Sequence, residues 1–402
     1  MKPKNIFLII PEMMMGGAQR SLSNLSIELA RHHRVWLVIF NRNERIAYTH
    51  GGELMSLDVE SGTTIFHKLR ALWQRISRLR KLKKDLRIDV SISFLEGADY
   101  INILSRSGDK VVLSIRGSKR FDETMRNRMP WLRTRILIPW LYRKADVLVA
   151  VNYGIASELQ KYGLQKSRIV TIGNFYDLEK ITRLSVEPKE VTVEQLYQDP
   201  IVITTGRLAP EKGLTSLIHV FYGLRRSSHN LRLMVIGDGP QKEELIRTCR
   251  HLNLEVHAGP DFDKRPDVLL LGSQTNVFKY LKGATMYLMN SSSEGFPNGM
   301  AEAMICHVPV VSSDCPYGPR EILAPEFPFV VPVLEPYIAS TGIIMPMIKS
   351  EGDIQTWIKT LSGLLEKKEL LLQLAEKGRD RISHFDQSLV VSEWHRVLNN
   401  EI

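Results

Sequence analysis

Short apolar runs recur along the chain, and most are followed by a segment in which apolar residues return every three to four positions. In the first half the β-rich runs are 5–10, 34–40, 89–94, 110–115 and 146–151, with helical spacing at about 18–32, 66–87 and 153–162. In the second half the runs fall near 200–205, 231–236, 267–271, 285–289, 308–312 and 341–344, and helices are predicted at 213–226, 240–252, 275–281, 298–305 and 353–365. Alternating strands and helices predict parallel sheets flanked by helices, so both halves read as α/β. Residues 181–199 are polar, lack a clear period and carry Pro188 and Pro200 at their edges, which places a hinge at 175–199. The last segment, 384–402, has Phe385, Leu389, Val390, Trp394 and Val397 on one helical stripe. The expected organisation is a first domain at 1–180, a second at 181–383, and a terminal helix at 384–402 packing back on the first.

A length of 402 residues supports two domains rather than one core. No stretch approaches the roughly 18 consecutive apolar residues of a membrane span, and 44% hydrophobic with 24% charged residues describes a globular chain. Residues 6–10 are too short for the ~7–15-residue core of a secretory signal, so a cytoplasmic protein is expected. Cys249, Cys306 and Cys315 are odd in number and widely spaced, which predicts reduced thiols rather than disulfides or a zinc site. Charge is uneven. Residues 1–180 hold 31 Lys and Arg against 17 Asp and Glu, a net of +14, whereas 181–402 carry −4. The basic half therefore suits phosphate, nucleic acid or an anionic membrane. No zinc-finger or RRM-like motif accompanies it, so no nucleic-acid partner is expected.

Three segments carry candidate chemistry. Gly16 and Gly17 stand where the first strand gives way to a helix, where free N–H groups suit phosphate oxygens; a plain tight turn is the alternative. Neither G-x-G-x-x-G nor the P-loop pattern occurs. After the strand 201–205, Arg207 and Lys212 are two cations five residues apart across a strand-to-helix turn, able to grip one diphosphate unless both are merely solvated. The segment from Asn290 to Met304 sets Glu294 before a Gly-Phe-Pro-Asn-Gly turn and Glu302 one turn into the next helix, suited to sugar hydroxyls and phosphate. The alternative there is a helix capped by Asn298.

Together with Gly237-Asp238-Gly239-Pro240, these segments occur in the order seen in family 4 retaining glycosyltransferases, which the chain resembles over nearly its whole length. The resemblance implies the GT-B fold, with two Rossmann-like domains facing across a cleft, and transfer of a sugar from a nucleoside-diphosphate sugar, UDP ranked ahead of GDP. It also implies residue roles. Arg207 and Lys212 match the pair holding the donor diphosphate, Glu302 the acid on the donor ribose, and Glu294 the acid near the transferred sugar. Phe296, Pro297, Asn298 and Gly299 match the loop cradling sugar and distal phosphate, and Gly16 and Gly17 the first-domain loop facing the phosphates. Ser273, Asn276 and Val277 lie where such enzymes contact the base. One departure stands out: the family often has a His after the fourth strand, where Arg116 stands here. An Arg is no base at neutral pH but can donate hydrogen bonds to phosphate or sugar.

Charge develops mainly on the departing phosphate, so preset cations matter more than a nucleophile. No D-x-D pair is suited to bridging a metal to the diphosphate, and neither metal nor cofactor is expected. Residues 66–87 form an amphipathic basic helix with Leu69, Leu72, Trp73, Ile76, Leu79, Leu82 and Leu86 on one stripe, and 126–144 interleaves Trp131, Trp140 and Tyr142 with arginines. Such tracts suit an anionic membrane surface, the alternative being burial of the aromatics. The expectation is a peripheral enzyme on the inner face of the cytoplasmic membrane acting on a lipid-linked, polyprenyl-diphosphate saccharide. The alternatives are a nucleotide-sugar-binding protein without transfer activity and a non-hydrolysing sugar-nucleotide epimerase.

Overall fold

A computed structural model describes residues 2–42, 46–120, 130–326 and 332–401. It separates into two compact units, Met1–Phe175 with Ser388–Ile402, and Tyr176–Gln387. The first unit contains β1 (Asn5–Ile9), α1 (Gly17–Ala30), β2 (Arg34–Ile39), β3 (Glu53–Ser56), α2 (Ile65–Asp85), β4 (Val90–Phe94), α3 (Glu96–Leu104), β5 (Lys110–Ile115), α4 (Pro130–Leu132), α5 (Ile138–Tyr142), β6 (Val147–Ala150), α6 (Tyr153–Lys161) and β7 (Ile169–Thr171). Its seven strands run in the order β3-β2-β1-β4-β5-β6-β7 and every pairing is parallel. The central strands are buried along nearly their whole length, serines of β4 and β5 included, because helices cover both faces.

The second unit contains α7 (Leu178–Ser185), α8 (Val191–Leu196), β8 (Ile201–Thr205), α9 (Leu214–Ser227), β9 (Arg232–Ile236), α10 (Lys242–His251), β10 (Val256–Ala258), β11 (Val268–Gly272), α11 (Phe278–Leu281), β12 (Met286–Met289), α12 (Asn298–Ile305), β13 (Val310–Ser313), α13 (Gly318–Leu323), β14 (Tyr337–Ile338), β15 (Ile343–Met345), α14 (Glu351–Leu365) and α15 (Lys368–Ile382). Its sheet has the order β10-β11-β9-β8-β12-β13-β15-β14, parallel except for the β14–β15 pair. In each sheet the chain first winds outward one way and then the other. The reversal falls between β1 and β4 in the first unit and between β8 and β12 in the second. Ligands of open α/β sheets bind beyond the carboxyl ends of the strands at such switch points.

Three sequence expectations change. The unit boundary falls after Phe175 rather than at 180, and the polar stretch expected as a hinge is largely helical. Ile181, Val193 and Leu196 are buried and turn α7 and α8 into part of the second unit's packing; helices of eight and six residues among many charges show too little of a stripe to be read. The stripe on α2 divides as well. Ala71 and Leu79 are buried and Leu72, Ile76, Leu82 and Leu86 pack on the same core cluster, but Leu69 and Trp73 are 61% and 70% exposed, joined by Ile65 and Phe66. The helix starts two turns before the surface that supports it. Its far end is fixed by Lys83, fully buried, with Nζ 2.8 Å from Asp109 and 2.7 Å from Asn102 Oδ1.

The terminal helix α16 (Gln387–Leu398) closes the first unit's core. Val390, Trp394, Val397 and Leu398 share one apolar cluster with Ile6, Leu37 and Ile92 of the central strands. Lys4 Nζ donates to Leu398 O at 2.7 Å and Lys110 Nζ to Asn400 Oδ1 at 2.6 Å, which pins the last turn. No described helix is long and apolar enough to cross a membrane.

Candidate functional site

In the second unit the site is built at the β8–β12 switch point. β8 ends at Thr205, the chain turns through Gly206, and Arg207 follows. A short 3-10 turn, Pro210–Lys212, then leads into α9. On the other side β12 runs into Asn290-Ser291-Ser292-Ser293-Glu294. The two loops are stitched together: Ser292 N donates to Glu211 O at 2.8 Å and Asn290 Nδ2 to Gly213 O at 3.0 Å. Gly213 has φ 59, and a Cβ there would lie 2.3 Å from Asn290 O, so only glycine allows this approach.

The stitching brings Lys212 onto Glu294, with Nζ 2.6 Å from Oε1, while Ser291 Oγ donates to the same oxygen at 2.7 Å. Both side chains are largely covered, 27% and 12% exposed. Burial alone would pull the Lys212 ammonium down, but the charge and hydrogen bond of Glu294 outweigh it and hold the group above its ordinary value. Arg207 does not join them. It is 58% exposed and its Nη2 lies 2.6 Å from Glu211, one turn away.

Beyond Glu294 the chain enters α12. Phe296 is buried, edge-on to Phe385 at 5.1 Å between ring centres and tilted against Tyr176 at 6.3 Å. Pro297 occupies the position before the helix, and Asn298 does not cap it: its Oδ1 accepts from Tyr176 Oη at 2.7 Å. A Cβ on Gly299 would lie 2.3 Å from Thr205 Oγ1, so the helix start sits directly against the end of β8. Glu302, on the second turn, is 3% exposed. The positive end of this helix and a buried acid behind it therefore share the switch point with Lys212 and Glu294. Sequence reasoning missed the roles of Asn290, Ser291 and Tyr176, whose spacing carries no signal; Phe385, expected on the stripe of the terminal helix, instead ends a 3-10 turn of the second unit and packs on Phe296.

The segment expected near the base follows β11. Ser273 is exposed and Val277 half-buried just before α11. The side chain of Asn276 is engaged within the protein: Nδ2 donates to Leu184 O at 2.8 Å and Glu187 at 2.9 Å, and Oδ1 accepts from Phe278 N at 3.0 Å. It fastens the loop to α7, while Ser273 and Thr275 are exposed.

In the first unit, Gly16 precedes α1 without a side-chain cap, and its N–H donates to Tyr48 Oη at 3.3 Å; Gly17 is the first helical residue. Arg116 follows β5 directly. Its Nε donates to Ser114 Oγ at 2.7 Å and Nη1 to Asn174 Oδ1 at 3.2 Å, with the guanidinium over the rings of Phe94 and Trp394. It is a held group, not a solvated loop residue, and burial pulls it down to about 9. Around it, Glu158 accepts from Ser118 Oγ and the N–H groups of Lys119 and Arg120, fixing the loop that follows. Residues 126–129, the start of the second basic tract, lie outside the described residues. Beyond them Trp131 and Trp140 are 60% and 57% exposed while Tyr142 is buried, donating to Asp99 at 2.7 Å; Arg133 anchors the stretch on Glu96 at 2.6 Å.

Comparison with known proteins shows the family. Residues 190–381 match the model for glycosyl transferases group 1, and residues 15–180 match glycosyltransferase family 4. The chain is 29% identical over 400 residues to the N-acetylgalactosamine-N,N'-diacetylbacillosaminyl-diphospho-undecaprenol 4-alpha-N-acetylgalactosaminyltransferase of Campylobacter jejuni, covering 97% of this chain and 98% of that one. It is 28% identical to an uncharacterized glycosyltransferase of Methanocaldococcus jannaschii, with 84% of each covered. Among solved structures, Anabaena HepE in complex with UDP and glucose superposes with a TM-score of 0.73 at 14% identity, over 98% of this chain and 99% of that one. The chain belongs to the family 4 glycosyltransferases and has their GT-B fold of two Rossmann-like α/β sheets.

Proposed function

We propose that the protein is a retaining, metal-independent glycosyltransferase that moves a sugar from a UDP-sugar to a polyprenyl-diphosphate-linked saccharide at the cytoplasmic face of the membrane. The observation that carries the reading is the Lys212–Glu294 pair, brought from two loops to one switch point beside the start of α12. When the sugar leaves, negative charge grows on the diphosphate; a covered ammonium and the positive end of α12 are set in advance for it, and Arg207, exposed and paired with Glu211, joins them by turning inward. Glu294 holds Lys212 in place and offers its other oxygen to a sugar hydroxyl, while Glu302 suits the ribose. With two cations for the leaving group, no metal is required. Acceptor attack on the leaving-group face would preserve the anomeric configuration.

The donor assignment draws support from the UDP and glucose bound to HepE, and the acceptor assignment from the undecaprenol-linked substrate named for the C. jejuni relative. The exposed Ile65, Phe66, Leu69 and Trp73 among basic residues supply a surface for an anionic bilayer. The test is purified protein with a panel of nucleotide sugars and a polyprenyl-diphosphate saccharide, analysed by mass spectrometry with and without EDTA. Sugar addition to the lipid, unchanged by EDTA and with the anomeric centre retained, is expected. Conversion of the nucleotide sugar without acceptor, or donor binding with no product, overturns the reading.

A further inference from the structure

Among the described residues the buried arginines meet a carboxylate, Arg133 on Glu96 and Arg320 on Asp314. Arg116, half-buried, does not. Its Nε and Nη1 reach only neutral acceptors, Ser114 Oγ, Asn174 Oδ1 and, at 3.4 Å, Ile172 O, and among the described residues no carboxylate lies within ion-pair distance. Nη2 has no hydrogen bond to any described residue. The remaining contacts are aromatic: the guanidinium carbon lies 5.2 Å from the ring centre of Phe94 and 5.7 Å from that of Trp394.

An ion drawn partly out of water loses solvation that ring faces and neutral acceptors return only in part, which leaves the charge under-compensated. The depressed protonation of Arg116 has the same cause, since burial is what pulls it down. An anion brought by a ligand would complete the site. Arg116 stands one residue past β5, at the carboxyl edge of the sheet where ligands of such folds bind. A guanidinium fork with one free end fits a phosphate oxygen.

We propose that Trp394 of the terminal helix is a positioning residue that holds Arg116 as a receptor for a diphosphate, an inference that rests on reading the protein as a sugar-nucleotide-dependent transferase. Trp394 is 1% exposed and locked among core side chains, and α16 is tethered at its end by Lys4 and Lys110. The ring is thus fixed by the fold, and it limits the guanidinium to one orientation before any ligand arrives. This gives the terminal helix a role in the site besides closing the core. Donor and acceptor both carry a diphosphate, so the chemistry is shared and the source is left to the experiment.

The experiment compares the full-length protein with Arg116→Gln, Trp394→Leu, their double variant, Trp394→Phe, and Val397→Ala as a variant that loosens the same helix. Affinities for inorganic pyrophosphate and UDP are measured by calorimetry, and KM and kcat for donor and for lipid-linked acceptor are measured separately. Arg116→Gln and Trp394→Leu should each weaken pyrophosphate binding or raise one substrate's KM about tenfold, as expected for one charge-assisted hydrogen bond. The double variant should be no worse than either, and Trp394→Phe should retain most of the wild-type value. A matched loss of UDP affinity assigns the donor diphosphate; a raised acceptor KM with normal UDP binding assigns the acceptor. If Trp394→Leu behaves like Val397→Ala, with a lower Tm and unchanged affinities and KM values, or if the two losses add in the double variant, the proposal falls. Absence of sugar transfer in the wild type, with the pyrophosphate pattern intact, would overturn the transferase reading and leave this one standing.

Discussion

Lys212 Nζ and Glu294 Oε1 lie 2.6 Å apart although the residues belong to loops on opposite sides of the point where the second sheet reverses direction. The contact makes each residue dependent on the other: the acid keeps the ammonium charged despite burial, and the ammonium fixes the acid's orientation. If this ammonium faces the departing diphosphate, Lys212→Met should lower kcat by about 10²–10³, the cost of one donor to developing negative charge, roughly 2.7–4 kcal/mol. Glu294→Gln should also reduce kcat, since Lys212 loses the charge that holds it. Steady-state kinetics at saturating donor check both; kcat within threefold of wild type for Lys212→Met would sink the assignment.

The same loops predict which glycine tolerates a side chain. Gly213→Ala forces a Cβ to 2.3 Å from Asn290 O at φ 59 and should cost about 1–3 kcal/mol, lowering Tm and activity together because the Lys212 loop moves. Gly363 lies inside α14, where an added Cβ would meet nothing within 4 Å, so Gly363→Ala should raise stability by about 0.5–1 kcal/mol. Differential scanning calorimetry of the two variants should therefore give changes in Tm of opposite sign.

β1 and β8 are legible in the sequence because burial on two faces makes them apolar runs, as in Ile6 to Ile9 and Ile201 to Ile203. The edge strands β3, β7, β10 and β14 are not, being two to four residues long and only partly covered. α15 is hidden among its charges and begins only two residues after α14. At the site, Lys212, Glu294 and Glu302 can be read from local strand-to-helix patterns. The Lys212–Glu294 contact cannot, because it depends on β8 pairing with β12. Nor can Trp394 over Arg116, which requires the chain to return across its own first sheet.

On α2, one helix should separate stability from membrane binding. Phe66, Leu69 and Trp73 project from the first turns beside Lys68 and Arg70, whereas Leu79 is buried against the sheet. Replacing the first three by Ser should weaken binding to anionic vesicles at least about tenfold with Tm unchanged, given ~1.5–3 kcal/mol for each large side chain removed from water. Leu79→Ala should instead lower stability by about 2–5 kcal/mol. Flotation and thermal unfolding distinguish them. Vesicle binding that survives the triple change places the contact elsewhere.

The terminal helix should loosen in acid. Lys4 N donates to His33 Nδ1 at 3.2 Å, so in the neutral ring the proton sits on Nε2 and points at His395 Nδ1, 3.5 Å away on α16. Burial, then the charges of His395, His32 and Lys4, lower His33 from 6.5 to about 4, and His395 is lowered as well. A base depressed in the folded state binds its proton more readily when unfolded. Its contribution is therefore present above about pH 6.5 and is lost as pH falls toward 4. Hydrogen exchange over 388–398 should accelerate in that window by at least about tenfold after correction for intrinsic rates, which corresponds to a loss of roughly 1.4 kcal/mol. His33→Gln removes the titrating ring, so in this variant the acceleration should shrink; an unaltered pH profile would show that another group controls the helix.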